Sequence, residues 1–321
     1  MTVVGLARRL PLGACAPRSA AASPAALTML LAMLALGSGA AQQPRLAVTI
    51  YQDSVEWTDS GTVRATVWRP TGGQGRLPTL IFSPGYGQTP PNYSVMLAAW
   101  AQHGYLVIGI ANPVFPNPDS VELYDASTVI AHQLVKAISH ILQDRGRPGS
   151  PFSQVDPARL GVVGHSVGGS AAAQACAWDP RLRAGMDLDG TIFGAVVHTG
   201  MQQPFFLMRQ RFRTAPGDQP KFLEYHDQAS LHEDSVYAHT RAMYWLTVDG
   251  LDHMAFTDAA LSPSIFQRVR AAVTQRLSPE RTQDIATRYV EDFFGHFLSE
   301  RPRPSSLDMT PFSGTTLHRK G

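Results

Sequence analysis

The stretch LGVVGHSVGGSAAA, from Leu160 to Ala173, frames a serine for nucleophilic chemistry. The motif Gly164-His165-Ser166-Val167-Gly168, with Gly169 next, follows an apolar β-branched run and opens an Ala-rich segment. This pattern predicts a strand over Leu160–Val163, a sharp turn with Ser166 at its apex, and a helix from Val167. Such a turn crowds the positions two before and two after the serine, and both are glycine. The amide of Val167, at the helix start, is the expected first donor to negative charge forming on a substrate oxygen. A plain Gly/Ser loop is the bland alternative, and the strand and helix on either side argue against it. His165 reads as a packed structural side chain that the apex turns away from the serine hydroxyl.

A serine hydroxyl needs a base to take its proton, and the base needs a carboxylate to fix its tautomer. In strand–turn–helix sites of this kind the chain order is serine, acid, histidine. After Ser166 the histidines are His198, His226, His232, His239, His253, His296 and His318. His253 alone follows a clear strand directly, through Asp249-Gly250-Leu251-Asp252, and is the expected base. Asp189 is the expected acid, at the carboxyl end of the strand Arg183–Asp189. Asp218, after a strand at Pro204–Arg209, is its rival, and Asp187 reads as a structural carboxylate. A second oxyanion donor is expected at the amide of Tyr86, in Ser83-Pro84-Gly85-Tyr86-Gly87, where glycines let backbone approach closely. The Tyr86 ring could also line an acyl pocket.

The elements that must position these groups follow from hydrophobic pattern. Strands are expected at Leu46–Tyr51, Thr62–Arg69, Thr79–Phe82, Tyr105–Ile110, Leu160–Val163, Arg183–Asp189, Pro204–Arg209 and Ala242–Val248. Helices are expected at Tyr93–His103, after Ser166, and at Ala126–Gln143 and Thr282–Leu298. In the last two, apolar residues recur three or four apart. Strands alternating with helices predict an α/β fold, a mostly parallel sheet of about eight strands with helices on both faces. Ser166, the 83–87 loop, Asp189 and the loop after Val248 then share the carboxyl edge of the sheet, where ligands bind in such folds.

Composition narrows the field. Apolar residues make up 44% and charged residues 16% of 321, which suits one globular domain with a large core. Leu27–Leu36 is an apolar run behind an arginine-bearing segment, and it ends in Gly37-Ser38-Gly39-Ala40-Ala41. That order predicts a secretory signal over residues 1–41, an exported protein, periplasmic or secreted, and a single catalytic domain over 42–321. Arg8-Arg9 lies far from the apolar run, and the sequence leaves the export route open. Without residues 1–41 the net charge falls from +2 to −1, so no basic face argues for nucleic acid. No phosphate-binding glycine loop is present. Once Cys15 leaves with the leader, Cys176 has no partner for an intrachain disulfide.

Ser83-Pro84-Gly85-Tyr86-Gly87, Gly164–Gly169, Leu188-Asp189-Gly190 and Asp252-His253-Met254-Ala255-Phe256 together resemble the platelet-activating factor acetylhydrolase family (plasma type) of the α/β-hydrolase fold. They are also similar to bacterial dienelactone-hydrolase-like and polyesterase-like relatives. The similarity spans most of residues 75–260. An acid on the strand after the nucleophile helix, 23 residues beyond Ser166, is the feature particular to this family. Pro84 departs from it, standing where the family usually has His. The resemblance implies hydrolysis of a short-chain acyl or platelet-activating-factor-like ester through an acyl-enzyme, without metal or cofactor. The implied partner is a small-molecule or lipid ester, with transient contact to a lipid surface. A cutinase or polyesterase, and a non-catalytic binding protein of the same fold, are the alternatives. Oligomeric state is left open.

Overall fold

The computed structural model describes residues 46–53, 63–72, 75–113, 115, 122–212, 219–264 and 276–321. The expected leader, 1–41, and the rival acid Asp218 lie outside these residues. Among the described residues one sheet of nine strands runs in the order β1-β2-β4-β3-β5-β6-β7-β8-β9. The strands are β1 (Val48–Asp53), β2 (Ala65–Pro70), β3 (Leu77–Ser83), β4 (Leu106–Ile110), β5 (Val155–His165), β6 (Leu182–Leu188), β7 (Phe205–Gln210), β8 (Met243–Val248) and β9 (Thr315–Lys320). β3 to β8 are mutually parallel, while β1, β2 and β9 join through antiparallel pairings at the two sides. The first eight are the strands expected from sequence, shifted by a few residues at their ends. β9 is additional.

The parallel strands are apolar on both faces because each face is covered. Neighbours along a strand enter opposite cores, as a period of two requires. Ile81, Val162, Phe205 and Leu207 pack on one side. Phe82, Val163, Phe206 and Met208 pack on the other. The first core is closed by α2 (Leu123–Asp144), α3 (Val167–Trp178), the short α4 (Val196–Thr199) and part of α5 (Pro220–His239). The second is closed by α1 (Ser94–Gln102) and α6 (Pro279–Ser299).

The anticipated stripe on α2 is real: Ile130, Leu134, Ile138 and Ile141 are all buried. On α6, Ala286, Val290 and Phe293 are buried and Phe297 is half-buried. Ser278 caps α6 by accepting from the Arg281 amide, and Pro279 begins it, both usual helix-start signals. Phe293 anchors the helix to the sheet, meeting Phe206, Tyr244, Phe294 and Phe297 edge-on with ring centroids 4.9–5.6 Å apart. Removing such a ring loses apolar burial and leaves a cavity. Phe293→Ala is therefore expected to lower stability by about 3–5 kcal/mol, read as a shifted urea midpoint.

Candidate active site

The turn at Ser166 is built by close backbone approach. β5 ends at His165, Ser166 takes φ 57° and ψ −126°, and α3 begins at Val167. A Cβ at Gly164 would lie 2.0 Å from the Gly168 carbonyl oxygen, and one at Gly168 would lie 2.4 Å from the Ser83 carbonyl oxygen. Neither position tolerates a side chain. Beneath the turn the buried carboxyl of Asp187 fills the space that side chains at Gly169 and Gly190 would need. It accepts a hydrogen bond from the Gly190 amide at 2.8 Å. Burial raises the Asp187 carboxyl well above the usual carboxylate range, against the pull of Arg209 and the Gly190 amide. Its role is to pack under the serine turn, the structural part that sequence suggested.

Ser166, His253 and Asp189 come together above the carboxyl ends of β5, β6 and β8. Ser166 Oγ lies 3.0 Å from His253 Nε2, and His253 Nδ1 lies 2.8 Å from Asp189 Oδ2. The carboxylate accepts from Nδ1–H, which leaves Nε2 free to accept from the serine hydroxyl. His253 is held by a 3₁₀ turn (His253–Phe256) whose cap, Asp252, accepts from the Met254 amide. The side chain of Asp189 is fully buried, whereas that of His253 is 40% exposed and open to a substrate.

Asp189 leaves the strand in a left-handed conformation, φ 58°. Simple alternation would put it on the same side as Asp187, and the left-handed turn redirects it towards His253. Its amide donates to Met208 O at 2.7 Å, and its Oδ1 accepts from the Gln210 amide at 2.8 Å. Burial works to raise this carboxyl. The His253 hydrogen bond, the Arg209 charge and the Gln210 amide outweigh it and hold the group below its ordinary range.

The remaining predicted residues surround the serine. Val167 supplies the first amide of α3, one of the helix-start donors that intrahelical bonding leaves over. The loop carrying Tyr86 passes beside Ser166: a Cβ at Gly85 would lie 3.4 Å from the Ser166 Cβ. The Tyr86 ring stacks on Phe115, centroids 5.8 Å apart, and both rings are half-buried. Among the described residues no group of His, Cys, Asp or Glu is placed to hold a metal ion.

His165 does more than pack. Its Nε2 lies 2.8 Å from the backbone carbonyl of His253, which only accepts, so Nε2 carries the proton. Its Nδ1 then accepts from the Tyr93 hydroxyl at 2.8 Å, and Tyr93 Oη in turn accepts from the Gly85 amide at 3.1 Å. One buried chain of hydrogen bonds therefore ties the 83–87 loop, the serine turn and the His253 turn together. Sequence gave no sign of Tyr93 in this role, because an aromatic at a helix start reads as core.

Two family models match overlapping stretches, each just under half of the chain: PET hydrolase-like over residues 40–191, and platelet-activating factor acetylhydrolase, isoform II, over 152–301. The two matches support a likeness to platelet-activating-factor-acetylhydrolase-like and polyesterase-like α/β-hydrolases. It is 31% identical over 134 residues to the "Probable 1-alkyl-2-acetylglycerophosphocholine esterase" of Arthroderma benhamiae, covering 39% of this chain and 34% of that one. It is 26% identical over 182 residues to the platelet-activating factor acetylhydrolase of Bos taurus, covering 43% and 41%. Cutinase est1 of Thermobifida alba is 32% identical over 110 residues, covering 34% and 33%. The matches thus span about a third to two fifths of the length of these curated relatives. A ferulic acid esterase from Streptomyces cinnamoneus shares the fold, with a TM-score of 0.63 and 22% identity over 87% of this chain and 98% of that one.

Burial first, and then the nearby His253, push His165 down to about 3. The folded protein therefore keeps this ring neutral where the unfolded chain protonates it. His165's contribution is complete above its ordinary value of 6.5 and is lost as pH falls from there towards 3. At about 1.4 kcal/mol per pH unit, the loss reaches roughly 4–5 kcal/mol. His165→Asn is expected to flatten the decline in urea midpoint between pH 6.5 and pH 4 relative to the parent. An unchanged slope would mean that the ring is not held neutral.

Proposed function

We propose that this protein is a serine carboxylic-ester hydrolase working through an acyl-enzyme. The observation that carries this reading is the unbroken contact from Ser166 Oγ to His253 Nε2, 3.0 Å, and from His253 Nδ1 to Asp189 Oδ2, 2.8 Å. Ser166 Oγ attacks the ester carbonyl carbon as its proton passes to His253 Nε2. Asp189, buried and ionised, stabilises the resulting imidazolium. The carbonyl oxygen takes the negative charge and is held by the amides of Val167 and Tyr86. His253 then gives its proton to the leaving alcohol oxygen as the bond to it breaks. A water molecule, deprotonated by His253, releases the acid by the same route and restores Ser166.

For substrate, the relatives that cleave an acetyl ester from a glycerophospholipid by name support short-chain acyl and platelet-activating-factor-like esters. With a lipid substrate, contact with a lipid surface would be transient. The PET hydrolase-like match over residues 40–191 favours a second reading, cleavage of polyester. Comparing rates on p-nitrophenyl esters of increasing chain length, on an acetylated ether phospholipid and on polyester film separates the two. We also propose export, on the leader-like order of residues 1–41. Release of the mature chain outside the cytoplasm, with a new N-terminus near residue 42, is the check.

Ser166→Ala is expected to lower kcat on p-nitrophenyl acetate by about 10⁶-fold and to abolish labelling by a fluorophosphonate, while the circular dichroism spectrum is kept. Undiminished turnover would remove the nucleophile assignment. Asp189→Asn is expected to lower kcat by about 10⁴-fold through the wrong histidine tautomer, with Asp218→Asn within a few-fold of the parent. A larger loss from Asp218→Asn would reverse the choice of acid.

A further inference from the structure

Behind Asp189 lies a buried ion pair that the chemistry above does not use. Arg209, next to last in β7, places Nε 2.6 Å from Glu233 Oε1 on α5, and both side chains are under 10% exposed. The same guanidinium turns Nη1 to Asp189, 3.4 Å from its backbone carbonyl and 3.9 Å from Oδ1. Asp189 occupies a left-handed backbone conformation that persists only when its surroundings over-determine it. Three of its holding contacts are the Gln210 amide, the Met208 backbone carbonyl and His253. Arg209 is the fourth, and the only one from a side chain outside the proposed triad.

The geometry points to Arg209, braced by Glu233, as a positioning residue for Asp189: it fixes the left-handed turn and sets how strongly the carboxylate supports a charged His253. This rests on the serine-hydrolase reading. The groups facing the guanidinium are Asp187 and Asp189 from the end of β6, and Tyr225 and Glu233 from α5, with Asp234 beside Glu233. His253 approaches from the far side of Asp189.

The brace has a pH-dependent strength. Burial pushes the Glu233 carboxyl up to about 7, with Arg209 opposing and Asp189 and Asp234 adding to the rise. When Glu233 is ionised, it neutralises Arg209, and Asp189 gives its full charge to the imidazolium. When Glu233 is protonated, Arg209 draws on Asp189 alone, and a protonated His253 is less well supported. The charge on Glu233 therefore reaches His253 through Arg209 and Asp189.

Glu233→Gln keeps the shape and fixes the neutral state. It is expected to move the acid limb of kcat/KM down by roughly half to one pH unit and to reduce it to a single ionisation. The paired change Arg209→Met with Glu233→Leu removes both charges together and leaves neither buried alone, so the fold should persist. It should lower kcat about ten-fold or more, with KM within about two-fold, because Asp189 loses its hold on the turn. The proposal is overturned if Glu233→Gln leaves the acid limb where it was, or if the paired variant keeps the parent's kcat. An NMR titration of the His253 ring in the parent and in Glu233→Gln gives the same answer without turnover. An inactive, unlabelled parent would sink the hydrolase reading, whereas an active parent with identical His253 titrations in both proteins would sink only the role of Arg209.

Discussion

The structure depends on one crowded place, where the chain turns at Ser166 with no room for a single extra carbon. Backbone from Ser83, Pro84, Gly164, Gly168 and Gly190 converges on the turn, and the Asp187 carboxyl closes it from below. That crowding forces Ser166 into a left-handed conformation, half-buried, with α3 starting at the next residue. Among the described residues only three that are not glycine have positive φ, and Ser166 and Asp189 are two of them. Strain of this kind survives only where neighbours fix it, and it gathers where a side chain must be aimed rather than packed. The third, Glu300, ends α6 in the ordinary left-handed manner.

The sheet turns a crowded serine into a site. Parallel strands end at one edge, and their loops all leave on the same side. The register sets Gly164 beside Ser83 on one side and Asp187 on the other. The Ser166 amide donates to Leu188 O at 3.0 Å and the Asp189 amide to Met208 O at 2.7 Å, so each loop hangs from the strand next to it. β7 contributes none of the three side chains that meet at Ser166. It supplies the amide of Gln210 to Asp189 and the side chain of Arg209 behind it. Apolar packing on both faces fixes the strands, and the strands fix the loops to within a hydrogen bond.

How much of this could be read from sequence depended on whether the information was local. The serine turn was legible because its requirement, small residues at fixed offsets, is written within five positions. The seven inner strands, β2 to β8, were legible as β-branched or aromatic runs, since burial on both faces leaves them nearly free of polar residues. β9, Thr315–Lys320, was not: it lies at the edge, its residues are half-buried or exposed, and TTLHRK has no apolar face to alternate. α5 was missed for a similar reason. Of its described side chains only His226, Ala229, Glu233 and Val236 are buried, and two of those four are polar, so its inner face carries no hydrophobic stripe. The overlapping positions of Asp187 and Asp189 were separable only by which of them ends the strand.

What sequence could not express is pairing through space between residues of ordinary type. Arg209 reads as the polar end of a strand and Glu233 as one acid among several on a helix, 24 positions apart. Tyr93 reads as an aromatic anchor. Each becomes informative only when the fold buries it against specific polar partners, because a buried polar group must find one or be lost to desolvation. Tyr93 and His165 form the neutral version of that solution, and its polarity is fixed by the one acceptor, the His253 carbonyl, that cannot donate. Arg209 and Glu233 form the charged version, and nothing fixes their state so firmly, since a proton on Glu233 is the cheapest change the pair can make. The two supports therefore differ in kind. The first holds its geometry at any pH above the range where His165 can be forced to charge. The second holds Asp189 with a strength that follows the solution. A site supported in both ways keeps its shape through a pH range in which its acid–base strength changes.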